Sequence, residues 1–468
     1  LTRCPATTTP DGDAAAIELA AGIGARMSEL SPGLLVCLAV PFLAAFRWPV
    51  VGLAGLLVGG TSVPYTLSTG TQSEVSFPML LTAALFLPWG FRQLRSGESL
   101  HRALRSPFPA LLAFLAIAVV SLLIASRPGW RFAFAVYEQA WFAEARNAPL
   151  RAQLGALGLF GLSFFVAFLV ADQVRSLVSL RRLTALFIAL GGLYVSMRLV
   201  LELRPLLQGF FAPGVEGSLM WTWLVALAFA QALFHRQLPA GLRFALLVLV
   251  GAVLYIGMVE NRDWLAGWIP PLAAIALAVC LGAPRIALVA AAVVLIAFAL
   301  YSTDLTALVL SADNEYSLKT RVAAWRVLSE IIVANPAFGL GPANYYHVTP
   351  LLPILGWNVN FSSHNNYVDI VAQAGLLGFA CFALFVGQTA HLGWRLYQRA
   401  PAGFPRAYVI GALAGLGGSL VAAMIGDWLV PFVYNVGLRG FRSSFLGWFF
   451  LGGLLALDRI LPRPPVLR

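Results

Sequence analysis

The sequence predicts an all-α polytopic membrane protein of about 12 or 13 transmembrane helices, with one long loop on the outer side. Three observations carry that prediction. Hydrophobic residues fill 60% of the 468 positions and charged residues only 11%, where a soluble domain carries about 25%. Window after window of about 20 residues has few or no charges, the length a helix needs to cross a bilayer. These windows do not alternate in polarity as barrel strands do, and lipid offers an open backbone no partners, so the spans must be helices.

Taken in order, residues 1–32 form a mixed N-terminal tail without a cleavable signal pattern. Apolar spans follow at 33–61, 76–91, 107–126, 152–172, 183–201, 218–235, 242–260, 263–282 and 284–302. The first holds Pro41, Arg47 and Pro49, so it is one broken span or a tight hairpin. Residues 127–151 place Trp130, Phe132, Phe134, Tyr137, Trp141 and Phe142 among charges, the pattern of an interfacial amphipathic helix. The chain then divides into transmembrane helices over 33–302, a loop over 303–366, further spans over 367–461 (at 367–388, 406–430 and 441–460) and a tail over 462–468.

Orientation follows from arginine. Arg92, Arg95, Arg102, Arg105, Arg175, Arg181, Arg182, Arg236, Arg243, Arg285, Arg395, Arg399, Arg406, Arg459, Arg463 and Arg468 all fall on one side if every span crosses. That side is cytoplasmic by the positive-inside rule, which makes the 303–366 loop periplasmic or extracellular. The same rule accounts for the formal charge of +11 without nucleic acid. The four cysteines, Cys4, Cys37, Cys280 and Cys381, stand alone. Neither a disulfide framework nor a thiolate metal site is indicated.

Within the long loop, Leu318, Val322, Trp325, Leu328 and Ile332 recur at spacings of three and four, predicting a helix over 317–334 with that apolar stripe buried. Asn335-Pro336 ends it, and Gly339, Gly341 and Pro342 mark a tight turn. The loop closes on Ser362-Ser363-His364-Asn365-Asn366-Tyr367, directly before an apolar span. A histidine at a membrane–water boundary suits a substrate with one lipid end and one wet end. Of the other histidines, His347 competes from the glycine-rich loop, His101 and His235 fall on the cytoplasmic side and His391 near it. None has metal-ligand spacing.

Some arginines break the positive-inside pattern. Arg262 sits in the short outer link Val259-Glu260-Asn261-Arg262-Asp263, Arg321 and Arg326 on the outer helix, and Arg198 and Arg204 at the outer end of an earlier span. Arg262 either pairs with Glu260 or Asp263 or meets a ligand. An arginine fork grips phosphate oxygens with two hydrogen bonds. Two such forks beside a histidine suit a pyrophosphate leaving group and a general base.

These residues carry a family resemblance. Arg321-Val322-Ala323-Ala324-Trp325, then Pro336-Ala337-Phe338-Gly339-Leu340-Gly341, then His364-Asn365, then Gly375-Leu376-Leu377-Gly378 resembles the ordered signature of the O-antigen ligase and polymerase superfamily. Asn261-Arg262-Asp263 is similar to a further element, with Asn and Asp in place of the usual small neighbours. The resemblance covers roughly 250–390. It implies a C-class glycosyltransferase-like fold in a bacterial inner membrane, with the active site facing the periplasm or cell exterior. It also implies inverting transfer of an oligo- or polysaccharide from undecaprenyl pyrophosphate to an acceptor hydroxyl on a lipid or glycan. No metal, nucleotide sugar or cofactor is implied.

By position, His364 would activate or orient the acceptor hydroxyl, while Arg262 and Arg321 would hold the pyrophosphate. Asn365 would orient His364, bind a sugar hydroxyl or cap the following helix. Trp325 and Tyr345 would stack on sugar or pack against a span, and Arg198 is a further substrate-binding candidate. The related alternatives are an exopolysaccharide polymerase and a protein O-oligosaccharyltransferase. A flippase or transporter of lipid-linked glycan is the alternative of another class. It would place charges at mid-bilayer in two related halves, whereas here mid-span charges are few and the long loop lies in the C-terminal half alone, which favours the enzyme.

Overall fold

The structure, a computed structural model, describes residues 32–69, 74–96, 107–127, 144–289, 292 and 312–462. The N-terminal tail, most of the aromatic 127–151 stretch, most of the 284–302 span, His101 and Cys4 lie outside the described residues. Thirteen helices matter here: α1 Pro32–Arg47, α2 Pro49–Ser62, α3 Phe77–Ser96, α4 Phe108–Ser126, α5 Leu150–Gln173, α6 Leu177–Leu199, α7 Ser218–Phe234, α8 Ala240–Tyr255, α9 Leu265–Gly282, α10 Ala312–Ala334, α11 Asn366–Arg399, α12 Phe404–Ile425 and α13 Phe441–Ile460. Among the described residues, eight helices are long and apolar enough to cross a membrane, and three apolar helices are shorter. The chain is thus an all-α polytopic membrane protein, as its sequence predicts. A two-stranded antiparallel ribbon, Thr66–Ser68 with Glu74–Ser76, is the small addition.

The 33–61 stretch is a hairpin. A Cβ on Gly52 would sit 2.8 Å from the Ala45 methyl, and one on Gly55 would sit 2.4 Å from Pro41 Cβ. Positions converging in reverse order mark antiparallel helices. Pro49 starts α2, where its missing N–H costs nothing.

α13 is the central post, buried along its whole apolar window. It packs on α5, α7 and α12, while α12 also lies against α7 and α9, and α11 against α4. Trp223 of α7 stacks on Phe450 of α13 and donates from Nε1 to Ser419 Oγ of α12 at 3.0 Å. Lipid gives helices no hydrophobic reason to associate, so such close packing and inter-helix hydrogen bonds carry the bundle. Arg442 sits buried at the start of α13, donating to Gly60 O and Val63 O at 2.8 Å each. It satisfies carbonyls at the C-terminal end of α2 that no helical amide reaches.

The two ends of the bundle are separate. At one, Arg399 of α11 pairs with Asp458 of α13, Arg459 pairs with Asp172 of α5, and Gln93 of α3 donates to the same Asp172. Tyr397 donates to Leu281 O at the end of α9. These are the ends assigned to the cytoplasm from arginine counts. The opposite end holds the ribbon, α10 and the loops between helices.

Two expectations need correction. The 406–430 stretch is not helical to its end: α12 stops at Ile425, and residues 426–437 form a loop that folds back over the bundle. Asp427, whose carboxyl needs buried polar partners, breaks the span there. The face that α10 buries also differs. Ala324, Leu328, Ile331 and Ala334 point inward, whereas Leu318 and Val322 are exposed. The inward row continues N-terminally through half-buried Arg321, whose burial is balanced by the partners described next.

Candidate active site

The site is built where the Asn335–Val348 loop, the start of α11 and the 426–437 loop meet at the outer-assigned end. α11 is broken at Gly375 (φ +68°, ψ −175°). The glycine-rich loop fills that break. Leu340 N donates to Ala372 O (2.9 Å), Gly341 N to Gln373 O (3.1 Å) and, in return, Leu376 N to Pro336 O (2.7 Å). The loop thus replaces helical hydrogen bonds lost at the kink, which buried backbone groups require. A Cβ on Gly375 would lie 2.1 Å from Ala337 O, and one on Gly339, itself at φ +68°, 2.8 Å from Ala372 O. Only glycine fits either position.

The first turn of α11 is equally specified. Asn365 accepts from Tyr367 N at 2.9 Å and Val368 N at 3.4 Å, so it is the helix cap. Asn366 clamps the 426–437 loop: its Oδ1 accepts from Leu429 N and Val430 N, and its Nδ2 donates to Val430 O at 2.6 Å. Ser363 Oγ bonds buried Asp369 at 2.7 Å, and the Tyr345 hydroxyl bonds the same carboxyl group.

Between these clamps stands His364, at φ +48°. A non-glycine residue there costs about 1–2 kcal/mol, which the surrounding clamps hold in place. Its Nδ1 bonds Asn435 Nδ2 at 3.1 Å. That same amide nitrogen donates to Asp427 Oδ1. Asp427 is 1% exposed and also accepts from Phe432 N at 2.7 Å. Arg321 donates from Nη1 to Ile425 O at 2.7 Å, at the open end of α12, where a cation meets the negative end of the helix dipole.

The electrostatics of these groups are joined. Burial lowers the His364 pKa from its ordinary value, and the Arg321 charge lowers it further. Burial also lowers Arg321, against the attraction of Asp427. Burial raises the Asp427 carboxyl. His364 is therefore a neutral imidazole at neutral pH, facing a guanidinium.

Of the sequence-predicted residues, His364 and Arg321 are brought together. Arg262 is on the adjoining link: Trp264, two residues on, packs its ring 5.7 Å from that of Trp428, beside Asp427. Arg262 is more than half exposed and lies 3.9 Å from Asp263; no hydrogen bond among the described residues joins it to His364 or Arg321. Glu260 does not pair with it, being held by Arg198 (3.3 Å) and Arg204 (3.7 Å).

Three binding candidates make structural contacts within the protein. Arg198 pairs with Glu216 as well as Glu260, tying the outer links together. Trp325 donates to Ser363 O at 2.8 Å, bracing the His364 turn. Tyr345 is wholly buried, stacked on Phe432 at 4.7 Å, so its ring cannot lie against a sugar. His347 bonds the Tyr434 hydroxyl at 2.9 Å, away from this network.

Sequence reasoning missed Asp427, Asn435 and Asn366. The signal for Asp427 was the polar interruption Gly426-Asp427, which the 406–430 span smoothed over, while Asn435 stood in the link between two spans with no motif to mark it.

Fold and site together define a multi-span helical membrane protein with a histidine–arginine–carboxylate cluster at one end of its bundle. Residues 206–383 match the family model described as O-Antigen ligase. That match supports the superfamily read from the motifs, whose members are membrane glycosyltransferase-like enzymes of ligase and polymerase type. The matched segment contains Arg262, Arg321 and His364 and ends before the loop that supplies Asp427 and Asn435. No curated protein matches the chain.

Proposed function

We propose that the protein transfers an oligo- or polysaccharide from undecaprenyl pyrophosphate to an acceptor hydroxyl, at the periplasmic face of a bacterial inner membrane. One observation carries the reading: His364 is joined through Asn435 to Asp427, and the Arg321 guanidinium lies close enough to act electrostatically on both, where the helices meet the outer-assigned loops. A polyprenyl donor lies with its tail in lipid and its diphosphate at that level.

Arg321 and the exposed fork of Arg262 hold the diphosphate and neutralise the charge that grows on it. His364 meets the acceptor. As the acceptor oxygen bonds to the sugar C1, the C1–O bond to phosphate breaks and its electron pair leaves with the diphosphate. Attack from the opposite face inverts the anomeric centre. The hydroxyl proton goes to His364 if the ring activates the acceptor, or to water on the acceptor's face if the ring only orients it. No metal enters this scheme.

Reconstitution with an undecaprenyl-pyrophosphate glycan and candidate acceptors tests it. Lipopolysaccharide core, the free end of a second glycan and a peptide hydroxyl separate ligase, polymerase and protein-directed transfer. The expected result is inverted product with one acceptor class, unchanged by EDTA. Absence of product with all three, or a strict need for Mg²⁺ or Mn²⁺, contradicts the proposal.

A further inference from the structure

We infer that Asp427, acting through Asn435, holds His364 as the neutral tautomer with its proton on Nε2, so that the ring offers the substrate a donor and not a lone pair. The inference rests on the reading of His364 as the reactive group of this site, and adds which of its two roles the ring plays.

The geometry fixes the chain of donors. Asp427 uses both oxygens as acceptors, Oδ2 from Phe432 N and Oδ1 from the Asn435 NH₂, so Oδ1 faces that NH₂ and not the amide carbonyl. That NH₂ has two hydrogens. One goes to Asp427, and the nitrogen lies 3.1 Å from His364 Nδ1, so the second points at the ring. Nδ1 must then be the bare, accepting nitrogen, and in a neutral ring the proton sits on Nε2. Among the described residues Nε2 has no protein partner, which leaves it for the substrate. The amide orientation and the ring tautomer are consequences of one accepting carboxyl group buried out of sight of the substrate.

An Nε2–H cannot take the acceptor proton at the outset. The ring donates to the acceptor oxygen or to a diphosphate oxygen and orients it. As the acceptor oxygen bonds to C1, its proton leaves to water on the acceptor's own face of the sugar, while on the other face the C1–O bond to phosphate breaks and its electron pair departs with the diphosphate. His364 is unchanged in charge across the step. Asp427 and Asn435 are positioning residues, since neither touches substrate.

The test reads the ring and not turnover. Protein labelled with ¹⁵N-histidine is placed in lipid nanodiscs, and the His364 resonances are assigned by their loss in H364Q. Wild-type protein is expected to show a bare Nδ1 and a protonated Nε2. In D427N, the Phe432 N–H (2.7 Å) keeps the new amide oxygen on its own side. The new NH₂ therefore faces Asn435, turns that amide over and presents its oxygen to Nδ1. The expected result is a proton on Nδ1. N435D, at an exposed position, places a pure acceptor against the ring and should also protonate Nδ1; it decides the matter if D427N does not give monodisperse protein. A protonated Nδ1 in the wild type overturns the inference, as does a bare Nδ1 in a folded D427N or N435D. Failure of glycan transfer alone would sink the functional proposal and leave this result standing.

Discussion

His364 occupies the left-handed region at φ +48°, between Ser363, whose hydroxyl bonds Asp369, and the helix cap at Asn365. Strain of that kind persists only where surrounding contacts over-determine it, and it clusters at functional sites. Replacing His364 by Ala should lower transfer by about 10²–10⁴-fold while the protein still inserts and binds donor. Donor binding and turnover measured on the same preparation check this. Arg321→Ala should cost roughly 10²–10³-fold, and Lys should restore only part, because an ammonium lacks the planar fork. The pH dependence has a definite sign. Burial and the Arg321 charge both hold the His364 pKa below its ordinary 6.5; only beneath that value does Nδ1 gain a proton, which then meets the Asn435 NH₂ and frees the ring from its position, so activity should fall there. Arg321→Gln removes one of the two causes, and the acid limb of its residual activity should move to higher pH. A limb that stays put, or moves lower, shows that the guanidinium does not act on this ring. His364 and Arg321 were legible because motif order and residue type are written locally. Asp427 and Asn435 were not, because their meaning depends on a loop returning from 63 residues further along the chain.

At the level of elements, the glycine-rich loop and the broken α11 are one unit. The loop supplies the hydrogen bonds that the helix forgoes at Gly375, and the kink gives the loop a socket. Gly375→Ala should destabilise the protein by more than the about 1–2 kcal/mol left-handed penalty, since the added methyl meets a carbonyl at 2.1 Å. Gly387→Ala in the same helix has open space around it and should be neutral or slightly stabilising. Thermal unfolding followed by gel filtration separates the two. The glycines were visible in sequence as turn markers, yet their partnership was not, because it joins segments more than 30 residues apart in the chain. The α10 stripe shows the opposite failure. Apolar spacing alone selected Leu318 and Val322, but the face turned inward carries Arg321, Ala324 and Leu328. Next to a membrane an apolar side chain is not obliged to point at protein, so periodicity loses its power to choose a face.

For the molecule as a whole, composition alone was enough to predict a helical bundle, because lipid leaves the backbone no other solution. Arginine placement predicts a sidedness, and cross-helix contacts such as Arg399–Asp458 and Tyr397–Leu281 gather the ends it assigns to the cytoplasm. With the native cysteines replaced, R326C on α10 should react with a membrane-impermeant thiol reagent from outside intact cells, and Q398C only after permeabilisation. The reverse pattern would invert the topology and place His364 on the nucleotide-sugar side of the membrane. The central claim is that a neutral imidazole and a guanidinium on the outer face transfer glycan from a polyprenyl diphosphate. Single-turnover transfer from a synthetic undecaprenyl-pyrophosphate glycan, followed in proteoliposomes for wild type, His364→Ala and Arg321→Ala, tests it most directly. Inverted product from the wild type, with both variants slowed at least about a hundredfold, is the predicted result; variants that turn over like the wild type would contradict it.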